Sequence, residues 1–534
     1  MSDGIVLVGL PGSGKTAVGR CLAELLGRPF IDLDEDIEQA TGRTPAQHIQ
    51  QDGEAAFRAL ERQAVARAVQ VAGAVIATGG GAPLDPLNRW AIMEHGLRVR
   101  LDVPLDRLAA RLATDAVTRP LLGEDALAGL SRTAEQRAPY YRAVDVAISG
   151  LGDPHDVAAA VNDARERINL ADCWRTLYEA AYARHHPVGP PNGGMLMGRS
   201  LTPAAMARAL RPFDGRAAAV IADRRALSAL PRLDAALPAE RRLTLDGGEQ
   251  IKSFAVLERL LTWLSEQGVE RSDPLLAVGG GTVGDVAGLA AALHQRGMPL
   301  VQLPTTWLAQ ADSAIGGKVA IDLPTAKNAV GAVWPACLIV SDVSLLESLP
   351  IDRRRDGLAE CLKMGLIGDP ALWALVEQRG PAALHGEDGA AAYAMTERAA
   401  RLKLEVVARD PYESGERRVL NLGHTLGHAL EIESHYALSH GEAVALGLRA
   451  VARIASARGA QAGLAERIDT VLAALGFPLR RRFDPAAVTA ALRGDKKREL
   501  GTQRWILPMA VGQVEEVSDV TPVELSAAME AIGA

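Results

Sequence analysis

The sequence predicts an α/β protein in two parts: an N-terminal parallel sheet flanked by helices, then a part in which an α/β lobe precedes an all-helical C-terminal lobe. Three observations predict it. Short apolar runs, Ile5–Val8, Ala74–Ala77 and Val99–Asp102, alternate with helix-like stretches as far as Ile148. The strand-like run Ala217–Asp223, followed by Leu275–Val278 ending in a glycine triplet, opens the same pattern a second time. Beyond about Pro350, strand signals give way to long alanine- and leucine-rich segments at helical period. At 534 residues the chain exceeds what one core normally serves. The segment His185–Gly194 concentrates Pro, Gly and Asn, which favour irregular backbone. The expected division is residues 1–165, a linker over 166–197, an α/β lobe over 198–350 and a helical lobe over 351–534.

Composition narrows the class. Hydrophobic residues make up 48% and charged residues 23%, as in compact globular proteins. A net charge of −7 argues against nucleic acid as a partner and leaves anionic small molecules held in local basic pockets. Cys21, Cys173, Cys337 and Cys361 form no CxxC pair, so neither a disulfide framework nor a thiolate zinc site is expected. No basic, apolar leader and no apolar run of about 20 residues is present, so the expected location is the cytoplasm, with no membrane partner.

The first chemical signal is Gly9-Leu10-Pro11-Gly12-Ser13-Gly14-Lys15-Thr16, between the strand Ile5–Val8 and the helix-like Ala17–Leu26. This is the context of a P-loop: backbone N–H groups curl around phosphates, Lys15 offsets negative charge and the Thr16 hydroxyl reaches Mg²⁺. Asp32-Leu33-Asp34 reads as two carboxylates on one face of an extended segment. One can serve Mg²⁺ and the other an acceptor hydroxyl.

This combination resembles shikimate kinase over about 160 residues. The resemblance implies that Gly12, Ser13, Gly14, Lys15 and Thr16 hold ATP, that Thr16 and Asp32 act at Mg²⁺, and that Asp34 activates the shikimate hydroxyl. Arg58 and Arg137 would grip the shikimate carboxylate, as the planar fork of arginine suits it. Gly79, Gly80 and Gly81 would line the ring, Arg119 would close over the transferring phosphoryl group, and Arg111 would stack on adenine.

In the second part, Gly279-Gly280-Gly281-Thr282-Val283-Gly284-Asp285 leads from a strand into an alanine-rich helix and could approach a pyrophosphate closely. His424 and His428 stand at i, i+4 on one helix face, and spacing alone nominates them as a metal-ligand pair. His440-Gly441-Glu442 reads as a polar turn, and the absence of HExxH disfavours a zinc protease.

The segment from Gln302 to Asp342, with the GGEQIK, GLAECLKMG, NLGHTLGH, LSHGE and DKK motifs in order, resembles 3-dehydroquinate synthase from about Gly198 to the end of the chain. The resemblance moves the metal, Zn²⁺ or Co²⁺, to Glu360, His424 and His440, with His428 beside it in hydrogen bonding or proton transfer. It implies NAD on Asp223, Glu249, Lys252, Gly279, Gly280, Gly281, Asp285, Thr305, Thr306 and Lys327. It implies a heptulosonate phosphate on Arg296, Asp312, Lys318, Asn328, Lys363, Lys403, Arg417, Asn421, Lys496 and Lys497, with Asp312, Lys318, Lys363 and Lys403 also catalytic. A homodimer through the synthase part is implied as well. Arg225, Ala326, Ser348 and the early Pro335 depart from the family pattern.

Such a site would remove and return one hydride, expel phosphate between the two steps, and regenerate NAD⁺. The competing reading is another P-loop kinase fused to a metal- and NAD-dependent polyol dehydrogenase. The lysine-rich pocket argues against it, since a neutral polyol has no use for so many cations.

Overall fold

The computed structural model describes residues 3–113, 126–142, 144–167, 178–181, 194–198, 201, 206, 210, 217–237, 241–323, 326–493 and 503–533. The chain divides into two compact units, Met1–Ala180 with Leu196–Arg208, and Ala181–Met195 with Ala209–Ala534. Most of the expected linker lies outside the described residues.

In the first unit, β1 (Gly4–Val8), β2 (Phe30–Asp32), β3 (Val75–Ala77), β4 (Gly96–Asp102) and β5 (Val146–Ser149) form a sheet in the order β2-β3-β1-β4-β5. All pairings are parallel. Side chains alternate across a strand, and β1 is apolar on both faces because helices cover both. Ile5 and Leu7 pack with Val18, Leu22, Val157 and Val161, while Val6 and Val8 pack with Leu33, Ile37, Phe57 and Val65. The loops leaving β1 and β3 therefore emerge at the carboxyl edge of the sheet, where α/β folds bind ligands.

The Asp32–Asp34 segment is not extended throughout. Asp32 ends β2, and its side chain caps a helix at Leu33–Thr41 by accepting from the Asp34 and Glu35 backbone. An aspartate before a helical turn competes with strand geometry through this local bond. Asp34 thus stands in the first helical turn.

Short strands β6 (Tyr178–Ala181) and β7 (Gly194–Gly198) lie along the connection. In the second unit β8 (Ala219–Asp223), β9 (Arg242–Leu245), β10 (Leu275–Gly279), β11 (Leu300–Pro304) and β14 (Leu338–Asp342) run parallel in the order β14-β11-β10-β8-β9. The hairpin β12 (Lys318–Leu323) and β13 (Ala326–Val333) packs on the helix Gly281–Leu293.

The C-terminal lobe is built from helices that include Ile351–Gly368, Gly389–Arg409, His424–Glu433 and His440–Ala457. It departs from an all-helical lobe through the antiparallel hairpin β15 (Trp505–Ala510) and β16 (Gln513–Val517). A short apolar run such as Trp505–Leu507 has no periodicity that separates strand from buried helix, so its cross-strand partner decides. His440 does not lie in a turn either. It opens a helix whose N-cap, Ser439, exchanges hydrogen bonds with Glu442 in a capping box.

The helices His424–Glu433 and His440–Ala457 cross at backbone contact. A Cβ on Gly447 would overlap the Gly423 carbonyl, and one on Gly427 would sit 3.0 Å from the Ala443 oxygen. Gly447→Ala is therefore expected to destabilise the second unit by about 1–3 kcal/mol through overpacking. Chemical denaturation monitored on that unit checks this, and an unchanged midpoint would contradict the close crossing.

Candidate active sites

In the first unit the P-loop turns through Gly12 (φ +81°) and Gly14 (φ +90°), conformations that favour glycine. Gly14 precedes the helix Lys15–Leu26, whose N-terminus has no side-chain cap, so its N–H groups are available to phosphate oxygens. Lys15 Nζ donates to the carbonyls of Gly9 and Leu10 at 3.0 and 3.2 Å, and Ser13 is buried within the loop. Thr16 Oγ1 donates to Asp32 Oδ2 at 2.6 Å, which brings the two expected Mg²⁺ residues together. Arg111 donates to the Gly12 carbonyl at 3.2 Å and to the Gly150 carbonyl at 3.1 Å, so it braces the P-loop backbone. Arg119 lies outside the described residues.

The glycines after β3 face the expected acceptor residues. A Cβ on Gly79 would meet Asp34 Oδ1 at 2.7 Å and Glu61 Oε1 at 2.8 Å, one on Gly80 would meet Arg137 Nη1 at 2.9 Å, and one on Gly81 would overlap the Arg58 guanidinium. The Gly80 carbonyl accepts from Arg137 at 2.6 Å and from Tyr141 at 2.5 Å. Glu61 joins this group unforeseen: it is 1% exposed, accepts from Arg58 Nη1 at 2.9 Å, and burial pushes its carboxyl up against the pull of Arg58. Its only sequence signal was its i+3 spacing from Arg58.

In the second unit, three helices bring Glu360, His424 and His440 together. Among the described residues their donor atoms lie within 4.8 Å of one another, as do those of His428, Glu431 and His440. Glu360 Oε1 stands 3.4 Å from His424 Nε2 and 3.2 Å from His440 Nε2, and its other oxygen pairs with Lys363. Glu360 is fully buried. Burial opposes charge on His440, but Glu360 and Glu431 outweigh it and raise its pKa to about 10. A buried carboxylate with two imidazoles fits a divalent transition metal, which would take the place of that proton. The i, i+4 pair is not the set with the carboxylate: His428 turns toward Glu431 at 4.0 Å.

The cations gather next to this cluster. Lys403 Nζ donates to Asp312 Oδ1 at 2.8 Å, and Lys363 Nζ stands 4.0 Å from the same oxygen. Burial opposes charge on Asp312, but Lys403 and Lys363 hold its carboxyl well below the usual range. Burial also pulls the Lys403 pKa down. Asp312 lies in a single π-helical turn, Ala309–Ser313, and the adjoining Ser313 hydroxyl would sit 2.8 Å from a Cβ on Gly281. That turn joins the cation cluster to the glycine loop.

Gly279, Thr305 and Asp223 lie at the carboxyl ends of β10, β11 and β8. Thr305 N donates to the Gly279 carbonyl at 3.0 Å, and a Cβ on Gly280 would meet the Thr306 methyl at 3.0 Å. Lys252 pairs with Asp285 at 2.8 Å and also bonds Asn328, while Lys327 stands 3.3 Å from Glu249. Burial pushes the Asp285 carboxyl up to about 6 despite Lys252. Lys318 pairs with Glu413, which also accepts from Asn421 at 2.7 Å. Glu413 was not legible as a site residue, since it enters by folding its loop over Lys318.

Two expected substrate residues stand differently. The buried Arg417 donates to the carbonyls of Pro411 and Gly316 at 2.6 and 3.0 Å, bracing two loops. Arg296 is exposed beyond the far end of the helix Gly281–Leu293, a helix about 20 Å long. Lys496 and Lys497 lie outside the described residues.

Comparison with known proteins assigns both parts of the chain to families. Residues 11–166 match the shikimate kinase family, 242–356 the N-terminal and 357–498 the C-terminal 3-dehydroquinate synthase families. A 3-dehydroquinate synthase of Xanthomonas campestris pv. campestris (strain 8004) is 42% identical over 287 residues, 52% of this chain and 77% of the relative. One of Nitrobacter winogradskyi is 39% identical over 355 residues, 63% of this chain and 92% of the relative. The solved 2-epi-5-epi-valiolone synthase of Streptomyces hygroscopicus subsp. jinggangensis 5008, with NAD⁺ and Zn²⁺ bound, is 29% identical with a TM-score of 0.59, over 63% of this chain and 96% of its own. The chain therefore belongs to the 3-dehydroquinate synthase family and carries a shikimate kinase domain ahead of that synthase.

Proposed function

We propose that the first unit phosphorylates shikimate with Mg²⁺ and ATP, and that the second converts 3-deoxy-D-arabino-heptulosonate 7-phosphate to 3-dehydroquinate and phosphate. The protein is thus a bifunctional enzyme of the shikimate pathway. The observation that carries the synthase reading is the position of Lys363, which pairs with Glu360 and stands 4.0 Å from the Asp312 oxygen that Lys403 also faces. It joins a metal-binding geometry to cations suited to an anionic substrate.

For the kinase, Lys15 and the loop N–H groups hold the phosphates, and Asp34 accepts the proton of the attacking hydroxyl. Arg58 and Arg137 orient the acceptor through its carboxylate, with Glu61 holding Arg58 in place. Thr16 and Asp32 would hold Mg²⁺. For the synthase, NAD⁺ supplies reversible hydride acceptance and Zn²⁺ or Co²⁺ supplies Lewis acidity when bound. Glu360, His424 and His440 would hold the metal, and the residues at the ends of β8, β10 and β11 would hold NAD⁺. Lys318, Lys363 and Lys403 bind the substrate's anionic groups, Asp312 remains ionised to accept a hydroxyl hydrogen bond, and His428 moves a proton near the leaving phosphate. By the same resemblance the enzyme is a homodimer formed through the synthase part, and it works in the cytoplasm.

Lys15→Ala is expected to lower phosphoryl transfer at least ~100-fold and leave phosphate release from the heptulosonate phosphate unchanged. His424→Ala is expected to do the reverse. Assaying both activities in each variant checks the assignment, and loss of both in either variant would refute separate sites. With NAD⁺ supplied, phosphate release should stop on chelation, return with Zn²⁺ or Co²⁺, and leave no net NADH. Accumulating NADH would point instead to a dehydrogenase.

A further inference from the structure

The two histidines that share Glu360 are oriented by different partners. Each turns Nε2 toward Glu360 Oε1, at 3.4 Å for His424 and 3.2 Å for His440. Each turns Nδ1 the other way, toward an oxygen. For His424 that oxygen is the neutral carbonyl of Leu422 at 3.1 Å, held by the local backbone. For His440 it is Oε1 of Glu431 at 3.6 Å, a carboxylate from the neighbouring helix.

Glu431 is nearly buried, and its second oxygen lies 4.0 Å from Nε2 of His428 on its own helix. The three imidazoles pack with centroids 5.3, 5.3 and 6.4 Å apart, so one carboxylate faces two rings of a single cluster. A buried carboxylate is costly without partners of positive character, and N–H donors of imidazoles are such partners. A carboxylate facing Nδ1 selects the tautomer with its lone pair on Nε2 and raises the basicity of the ligand atom.

We propose that Glu431 is a positioning residue that presents His440 Nε2 to a divalent metal and couples that ligand, through its other oxygen, to His428. This inference rests on Glu360, His424 and His440 being the metal ligands. Glu431 is thereby distinguished from the remaining glutamates of its segment: Glu433 caps the Asp484 backbone, and Glu442 closes the capping box. The carboxylate does not touch substrate in this role; it acts through two histidines.

The test is metal affinity of the full chain without turnover, measured by competing Zn²⁺ against a chromophoric chelator. Glu431→Gln keeps the shape and removes the charge. It is expected to weaken Zn²⁺ binding about 10–100-fold, with Glu431→Asp recovering part of the loss. NAD⁺ binding and thermal unfolding of the metal-free variants report whether the second unit is folded. If Glu431→Gln does not fold, the graded loss must appear in Glu431→Asp. Wild-type affinity in the folded Glu431→Gln chain, or in Glu431→Asp where only that variant folds, overturns the inference. Failure of the wild-type chain to bind Zn²⁺ overturns the ligand assignment itself.

Discussion

The second unit depends on a buried negative charge. Glu360 has no exposed surface, and an isolated carboxylate in such a place would cost several kcal/mol. Lys363, one turn along its own helix, and the imidazoles of His424 and His440, from two others, compensate it. The two histidine helices cross closely because the backbones of Gly423 and Gly447 touch, and Gly441 packs closely on Asp356 of the helix that carries Glu360. Packing brings the donors close, and the charge makes that closeness favourable.

The same device recurs in the first unit. Glu61 is buried beneath the glycines that follow β3, and it holds Arg58 at a fixed place beside Asp34 and Arg137. In both units an interior carboxylate orients the groups around it. Side chains locked by such bonds need little reorganisation when a charged ligand arrives, which is what preorganised sites require. Each constellation is built from residues of one unit, consistent with two chemistries carried by one chain.

Lysine–carboxylate pairs recur through the second unit. Near the carboxyl ends of the strands, Lys252 and Lys327 are matched by Asp285 and Glu249. Toward the helical lobe, Asp312 is flanked by Lys403 and Lys363, and Lys318 is met by Glu413. Buried lysines such as Lys252, Lys363 and Lys403 are costly without such partners, and the facing carboxylates stabilise them.

Much of this was legible in residue order. The P-loop declares itself by glycines and a lysine between a strand and a helix, and the strands by apolar runs that end in glycine, because both patterns follow from local backbone geometry. The Ser439–Glu442 capping box was equally local, although the segment reads first as a polar turn. Resemblance added Glu360 to the histidines, which spacing alone does not do. What only the tertiary structure decided is which distant groups meet: Glu61 with Asp34, Glu413 with Lys318, Glu431 with His440, and the pairing that makes Trp505–Ala510 a strand. Sequence determined the elements and the inventory of reactive side chains, since hydrophobic period and turn chemistry act over a few residues. Packing across long separations chose the partners, since electrostatics and close contact depend on distance in space rather than along the chain.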